Sequence, residues 1–82
     1  MKFSDLEFKT TIPLQREARV TLKNGYTAVI RTGYRTATTL GAPYEYDNIP
    51  RNADISDDVI GYCTKEDIIN LINETSSKPC LH

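Results

Sequence analysis

The dipeptide Asn24-Gly25 lies between two runs that are rich in strand-forming residues. Asn and Gly tolerate the positive φ that both central positions of a type I′ turn require, so the pair predicts a two-residue β-hairpin loop. A loop of this length fixes the register and places Val20 opposite Val29. The predicted core face of this hairpin consists of Val20, Leu22, Thr27 and Val29.

Further strands are predicted on both sides of the hairpin. In residues 6–12 apolar and polar side chains alternate, which is typical of a strand with one solvated face. Pro13 ends this strand because proline cannot donate to a sheet ladder. Gly33 predicts a bulge or a sharp bend, with more strand over residues 34–40. Residues 41–57 are rich in Gly, Pro, Asn and Asp, and they are predicted to form a long loop.

The C-terminal third predicts a buried strand followed by a helix. Residues 59–63 are apolar and rich in strand formers. Thr64 is a favourable N-cap with Asp67 three residues later, as in a capping box, and apolar residues recur at helical spacing over residues 65–74. We therefore predict an α+β fold, in which a small antiparallel sheet, curved or partly closed like a small barrel, carries one C-terminal helix.

The size and charge of the chain limit its organisation. With 82 residues, we predict one α+β domain over residues 1–75 and a frayed tail over residues 76–82. The net charge of −1 conceals an asymmetry, because residues 1–40 carry seven basic and three acidic side chains, whereas residues 41–82 carry three basic and eight acidic ones. These charges either form two electrostatically distinct faces or are dispersed over a solvated surface.

Groups suited to catalysis or metal binding are sparse. The single histidine is the last residue, His82, and the two cysteines, Cys63 and Cys80, form no paired zinc-ligand motif. Neither cysteine has a base that the sequence identifies, and there is no glycine-rich phosphate loop. We expect no enzyme activity, no metal site and no cofactor. Whether Cys63 and Cys80 form a disulfide stays open.

The predicted location is the cytoplasm. No apolar run approaches the roughly 18 residues of a membrane span. The acids Asp5 and Glu7 lie where a secretory signal carries its apolar core. We therefore expect no membrane contact and reduced thiols.

Two short segments resemble small accessory proteins of tailed phages and prophages. Residues 19–25 match a basic and apolar strand that ends in Asn-Gly, and residues 57–62 match an acidic start to a hydrophobic strand with a Tyr. The family's strand has the form D-I-V-A-Y-R, and this chain differs at Gly61, at Cys63 and in the helix that follows. The resemblance implies a small, dispensable protein of a mobile element that acts on a host macromolecule, and it implies no functional residue.

Two binding hypotheses follow from the uneven charge. The first is a non-enzymatic protein-binding module that modulates or inhibits a host macromolecule with a basic surface, since tyrosines supply anchor area and acids supply steering. Its predicted interface is a loop with Tyr44, Glu45, Tyr46, Asp47, Asp54, Asp57 and Asp58. The alternative partner is nucleic acid, since cations track phosphates and aromatics stack on bases. Its predicted interface comprises Arg16, Arg19, Lys23, Tyr26, Arg31, Tyr34 and Arg35. The oligomeric state stays open.

Overall fold

The computed structural model describes residues 2–12, 14–33, 41–50 and 59–79, and it forms an open sheet with one helix. The elements in chain order are a single 3-10 turn Phe3–Asp5, strands β1 Lys9–Ile12, β2 Gln15–Thr21, β3 Tyr26–Gly33, β4 Tyr44–Pro50 and β5 Ile60–Cys63, and helix α1 Lys65–Ser76. Each strand is antiparallel to its predecessor, so β1 and β5 form the two edges of the sheet. Within the described ranges these edges do not pair with one another. The predicted α+β fold is confirmed.

Helix α1 covers one face of the sheet, where it packs against β3, β4 and β5. The core between them contains Ala18, Ala28, Ile30, Tyr46, Cys63, Ile68 and Ile72. Ile68 and Ile72 are one helical turn apart, so both side chains face the sheet. An isolated helix of 12 residues is marginal in water, and burial of this stripe is what stabilises it.

The capping box predicted at the start of α1 is confirmed. The Thr64 hydroxyl accepts a hydrogen bond from the Asp67 amide at 3.1 Å, and an Asp67 carboxylate oxygen accepts one from the Thr64 amide at 3.0 Å. Two backbone donors that the helix leaves unpaired are thereby satisfied. The helix ends at Ser76, so the predicted domain boundary after residue 75 falls within its last turn.

The hairpin between β2 and β3 is present, but its predicted register is wrong by one residue. Val20 lies opposite Ala28 instead of Val29. The Leu22 amide donates to the Tyr26 carbonyl at 2.8 Å, and the Gly25 amide donates to the Leu22 carbonyl at 3.2 Å. The loop therefore has three residues.

The backbone conformation of Asn24 accounts for this difference. Among the residues of the loop only Gly25 has a positive φ, of 94°, whereas a type I′ turn needs a positive φ at both central positions. A turn followed by one glycine in the left-handed region is the usual three-residue hairpin loop. Since a one-residue slip exchanges the faces of a strand, Ala28 and Ile30 face the helix, and Val29 is buried on the opposite face.

The long loop predicted over residues 41–57 is wrong for its first half. Residues 44–50 form β4, which lies between β3 and β5 and pairs with β3 over six positions from Tyr26↔Pro50 to Arg31↔Glu45. Pro50 is the last residue of the strand. Residues 51–58 lie outside the described residues.

Gly33 ends β3 with a φ of 101°, at the place where the sequence predicts a bend. A Cβ at this position would clash with the Leu14 carbonyl oxygen of the neighbouring turn. Glycine is therefore required here both by the backbone conformation and by the close approach of the β1–β2 connection. The strand predicted over residues 34–40 lies outside the described residues.

Candidate functional site

The two tyrosines predicted as interface anchors both pack against other side chains of the domain. Tyr46 is 1% exposed, and its hydroxyl lies 2.7 Å from the Thr75 hydroxyl at the end of α1. Burial raises the pKa of Tyr46 above its ordinary value, while the Thr75 hydrogen bond opposes the increase. The Tyr44 ring packs in an aromatic cluster, 4.8 Å from the Phe3 ring and 6.0 Å from the Phe8 ring between centroids. A binding partner therefore cannot contact the Tyr46 side chain.

The acids of β4 lie on the sheet face opposite α1, where they surround one arginine. The Arg31 guanidinium lies 3.1 Å from Glu17, 3.7 Å from Glu45 and 3.5 Å from Asp47, measured between nitrogen and oxygen atoms. Arg19 adds a second contact to Glu17 at 3.0 Å. Alternation along β2, β3 and β4 places all five side chains on one face, which we call the Arg31 cluster.

One buried atom of the Arg31 cluster has no hydrogen-bond partner among the described residues. Asp47 is 6% exposed, and its Oδ1 atom is buried without a hydrogen bond among the described residues. A buried carboxylate oxygen left unpaired costs on the order of 1–3 kcal/mol. Arg31 therefore compensates Asp47 through only one oxygen, Oδ2, and the cluster depends on this guanidinium. The other acids predicted for the interface, Asp54, Asp57 and Asp58, lie outside the described residues.

The residues predicted to bind nucleic acid do not form one patch in the described part of the chain. Arg19 and Arg31 are held by carboxylates of the Arg31 cluster. Arg16 faces the opposite side of the sheet and lies 5.8 Å above the Phe8 ring. Tyr26 is on that side too, where Lys78 lies 5.1 Å above its ring.

Of the remaining members of that set, Lys23 is the one that the structure describes. Lys23 lies in the hairpin loop between β2 and β3. Tyr34 and Arg35 lie outside the described residues. Since the described cations are divided between the two faces and several are engaged, the electrostatic footprint that a phosphate backbone needs is not assembled there.

The environment of Cys63 disfavours its action as a nucleophile. Cys63 is buried, and its thiol donates weakly to the Ile60 carbonyl at 3.5 Å. Burial raises the pKa of Cys63, and the carboxylates of Asp67 and Glu45 raise it further. A raised pKa disfavours the thiolate and therefore nucleophilic attack. Within the described ranges no three His, Cys, Asp or Glu side chains are grouped so that they could hold a metal ion.

A surface that the sequence did not predict lies at the β5 edge of the sheet. Val59, Ile60 and Tyr62 are 52%, 44% and 61% exposed, although residues 59–63 were predicted to be buried. We call these three residues the β5 patch. Only Cys63 of the predicted strand is buried in the core.

A β-bulge accounts for the exposure of Tyr62. Tyr46 pairs with Ile60 and Tyr44 pairs with Cys63, so two residues of β5 lie opposite one residue of β4. The extra residue allows Ile60 and Cys63, which are three positions apart, to face the same side of the sheet. Tyr62 takes a positive φ of 58°, and its side chain is largely exposed. A glycine inside a short apolar run, Gly61, is the sequence signal for such a bulge.

A groove of about 270 Å³ separates β5 from α1. It is lined by Ile60, Gly61, Tyr62, Cys63, Asp67, Asn70 and Leu71. Apolar side chains from the strand and the helix form its walls, and Asp67 and Asn70 form a polar rim. We call it the β5–α1 groove.

Comparisons of the chain with family models, with curated proteins and with solved structures gave no match. Within the described ranges, no helix combines the length and the apolar character needed to cross a membrane.

Proposed function

We propose that this protein is a small, non-enzymatic protein-binding module, and that the β5 patch is its contact surface. The observation that supports this proposal is the exposure of three large apolar side chains, Val59, Ile60 and Tyr62, along one sheet edge. Adjacent exposed apolar residues are common where proteins bind one another, and Tyr is enriched there because its ring buries large area with few rotors.

The backbone of Tyr62 supports the same surface. A positive φ in a bulky residue is uncommon and costs on the order of 1–2 kcal/mol. Such strain is retained where the surrounding structure over-determines it, and it is concentrated at binding and catalytic sites. Tyr62 is 61% exposed, so its ring recovers little burial energy within the chain itself. Binding of a partner would bury it.

The acidic character of the C-terminal half favours a basic partner. The resemblance to phage and prophage accessory proteins supports a role in which the chain modulates or inhibits a host macromolecule. An acidic surface steers association with a basic partner and discriminates against acidic ones. Nucleic acid is less favoured, because carboxylates hold Arg19 and Arg31.

Site-specific photo-crosslinking in the cells that produce this protein tests the proposal. A photoreactive phenylalanine replaces Tyr62 in one variant. The control variant carries it at Leu14, which is 79% exposed and also has a positive φ. We expect a discrete protein adduct from position 62 and none from position 14. Equal labelling from both positions, or no protein adduct from position 62, would contradict the proposal.

A further inference from the structure

We propose that the β5–α1 groove binds a peptide segment of a partner protein in which a large apolar side chain is flanked by Lys or Arg. This inference rests on the proposed protein-binding function and adds the place, the mode and the chemistry of the contact. The apolar side chain enters the groove between Ile60 and Leu71, and the cation lies against the rim at Asp67.

The size of the groove favours one anchor side chain. Clefts that enclose small molecules have volumes of about 300–1,000 Å³, and the groove of about 270 Å³ lies just below that range. Its walls come from Ile60 and Tyr62 on the strand and from Leu71 on the helix. Both elements are fixed by the core, since Cys63 and Ile68 are buried in it. The groove is therefore preformed, which reduces the ordering cost of binding.

The charge at the rim favours a cation on the partner. Asp67 is exposed, and although its Oδ2 accepts the Thr64 amide in the capping box, its charge makes no salt bridge among the described residues. The cation that precedes it, Lys65, lies 5.4 Å above the Phe3 ring instead. The carboxylate at this rim acts on a residue that lines the groove, since Asp67 raises the pKa of the Cys63 thiol beyond the effect of burial. A negative rim around an apolar floor is complementary to a segment that is both basic and apolar.

The same features disfavour a second copy of this chain as the occupant. Two copies that meet at β5 would bring their Asp67 rims together, and like charges at an interface are unfavourable. The edge is also unsuited to strand addition, because β5 has four residues and carries a bulge at Gly61 and Tyr62. Short, bulged edges resist pairing with another strand. Insertion of a side chain into the groove does not require backbone pairing with β5.

The experiment selects peptides from a displayed library of random peptides on the immobilised protein and then measures their affinities. We expect enriched peptides to carry an apolar residue with Lys or Arg within two positions. Tyr62→Asn should weaken their binding about tenfold or more, since large aromatic anchors dominate interface energies. Asp67→Asn keeps the shape of the side chain and removes its charge. It should weaken binding about threefold to tenfold at low salt and less at high salt.

Matched variants separate binding from folding. Leu14→Asn removes an exposed apolar side chain elsewhere, and Glu7→Gln removes an exposed acid elsewhere, so neither should change the affinity. The melting temperature of Tyr62→Asn should equal or exceed that of the wild type, because Asn tolerates the left-handed backbone region better than Tyr. A loss of affinity without a loss of stability identifies Tyr62 as a contact residue.

Three outcomes would overturn the inference: enrichment of acidic or uncharged peptides, no enrichment at all, or peptide binding that Tyr62→Asn leaves unchanged. A wild-type dimer in sedimentation that Tyr62→Asn dissolves would also overturn it, by assigning the groove to a second copy. If position 62 still crosslinks to a protein in cells, the proposed function survives these failures. If the crosslink is absent too, both fail.

Discussion

The hairpin loop caps the far end of the helix, and the side chain responsible is Asn24. Its amide nitrogen donates to the Thr75 carbonyl at 2.7 Å and to the Lys78 carbonyl at 3.1 Å. Its amide oxygen accepts a hydrogen bond from the Tyr26 amide at 3.3 Å. Asn24 is 5% exposed, so water does not replace these bonds freely. We predict that Asn24→Ala is among the more destabilising single substitutions in the described part of the chain.

The magnitude follows from the three hydrogen bonds. Each contributes about 0.5–1.5 kcal/mol net, and the Thr75 carbonyl keeps a second donor, the Lys78 amide at 3.2 Å. After the substitution this bond still satisfies the Thr75 carbonyl, so the full cost of an unpaired buried acceptor does not arise. We therefore expect a loss of about 2–3 kcal/mol in the free energy of unfolding, which lowers the melting temperature of a domain of this size by roughly 10–20 °C.

Asn24→Asp tests the cause more directly. It keeps the shape and the acceptor for the Tyr26 amide, but at neutral pH it places a carboxylate oxygen against the Thr75 and Lys78 carbonyls. The Thr75 carbonyl belongs to the last turn of α1, which is the negative end of the helix dipole. We therefore expect Asn24→Asp to be less stable than Asn24→Ala at pH 7.

Thermal and urea unfolding followed by far-ultraviolet circular dichroism measures both effects. Asn73→Ala is the matched control, because it removes an exposed amide side chain from the same helix and should change stability by less than about 0.5 kcal/mol. A cost below about 1 kcal/mol for Asn24→Ala, or greater stability of Asn24→Asp than of Asn24→Ala at pH 7, would refute the assignment of Asn24 as the cap.

Two further predictions concern buried polar groups. Arg31→Gln should lower the free energy of unfolding by about 2–3 kcal/mol, because it removes the cation that lies beside the buried Asp47 carboxylate. Arg19→Gln, at an exposed arginine, should cost less than about 0.5 kcal/mol in the same urea titration, and equal costs would contradict the central role of Arg31. Tyr46→Phe should cost about 1 kcal/mol at neutral pH by losing the Thr75 bond. The pKa of Tyr46 is raised above 10.0 in the folded state, so the unfolded state loses its proton first, and wild-type stability should fall as the pH rises above 10.0. That fall should be smaller in the Phe variant, and parallel profiles would show that Tyr46 does not cause it.

Local sequence determined the features that a few neighbouring residues decide. The capping box needs only Thr64 and Asp67, whose hydroxyl and carboxylate reach backbone amides within one turn. The strand before it and the apolar stripe of α1 follow from residue type and spacing. The position of the hairpin follows from Asn24 and Gly25, because glycine accommodates the positive φ that the loop requires. These interactions do not depend on distant parts of the chain, so they can be predicted without the fold.

The loop predicted for residues 44–50 was wrong because composition alone does not reveal the β4 strand. Residues 44–50 contain polar residues and a proline, which favour a loop when they are considered alone. In the sheet, one face of β4 places Tyr44 and Tyr46 against the aromatic cluster and the helix. The other face places Glu45 and Asp47 beside Arg31. Acidic residues are disfavoured in strands unless a neighbouring strand supplies a cation, and Arg31 of β3 does so here.

The tertiary structure decided the hairpin register and the candidate site. Asn24 adopts a negative φ, and its side chain bonds carbonyls at positions 75 and 78, more than 50 residues away in the chain. This distant contact accompanies the three-residue loop. The loop shifts the register by one residue from the predicted one, so Ile30 faces the helix and Val29 faces the opposite side. The exposure of Tyr62 likewise depends on a bulge that pairs both Ile60 and Cys63 with β4. Residue type and spacing specify which segments extend or coil, whereas contacts between distant segments decide which side chains face solvent.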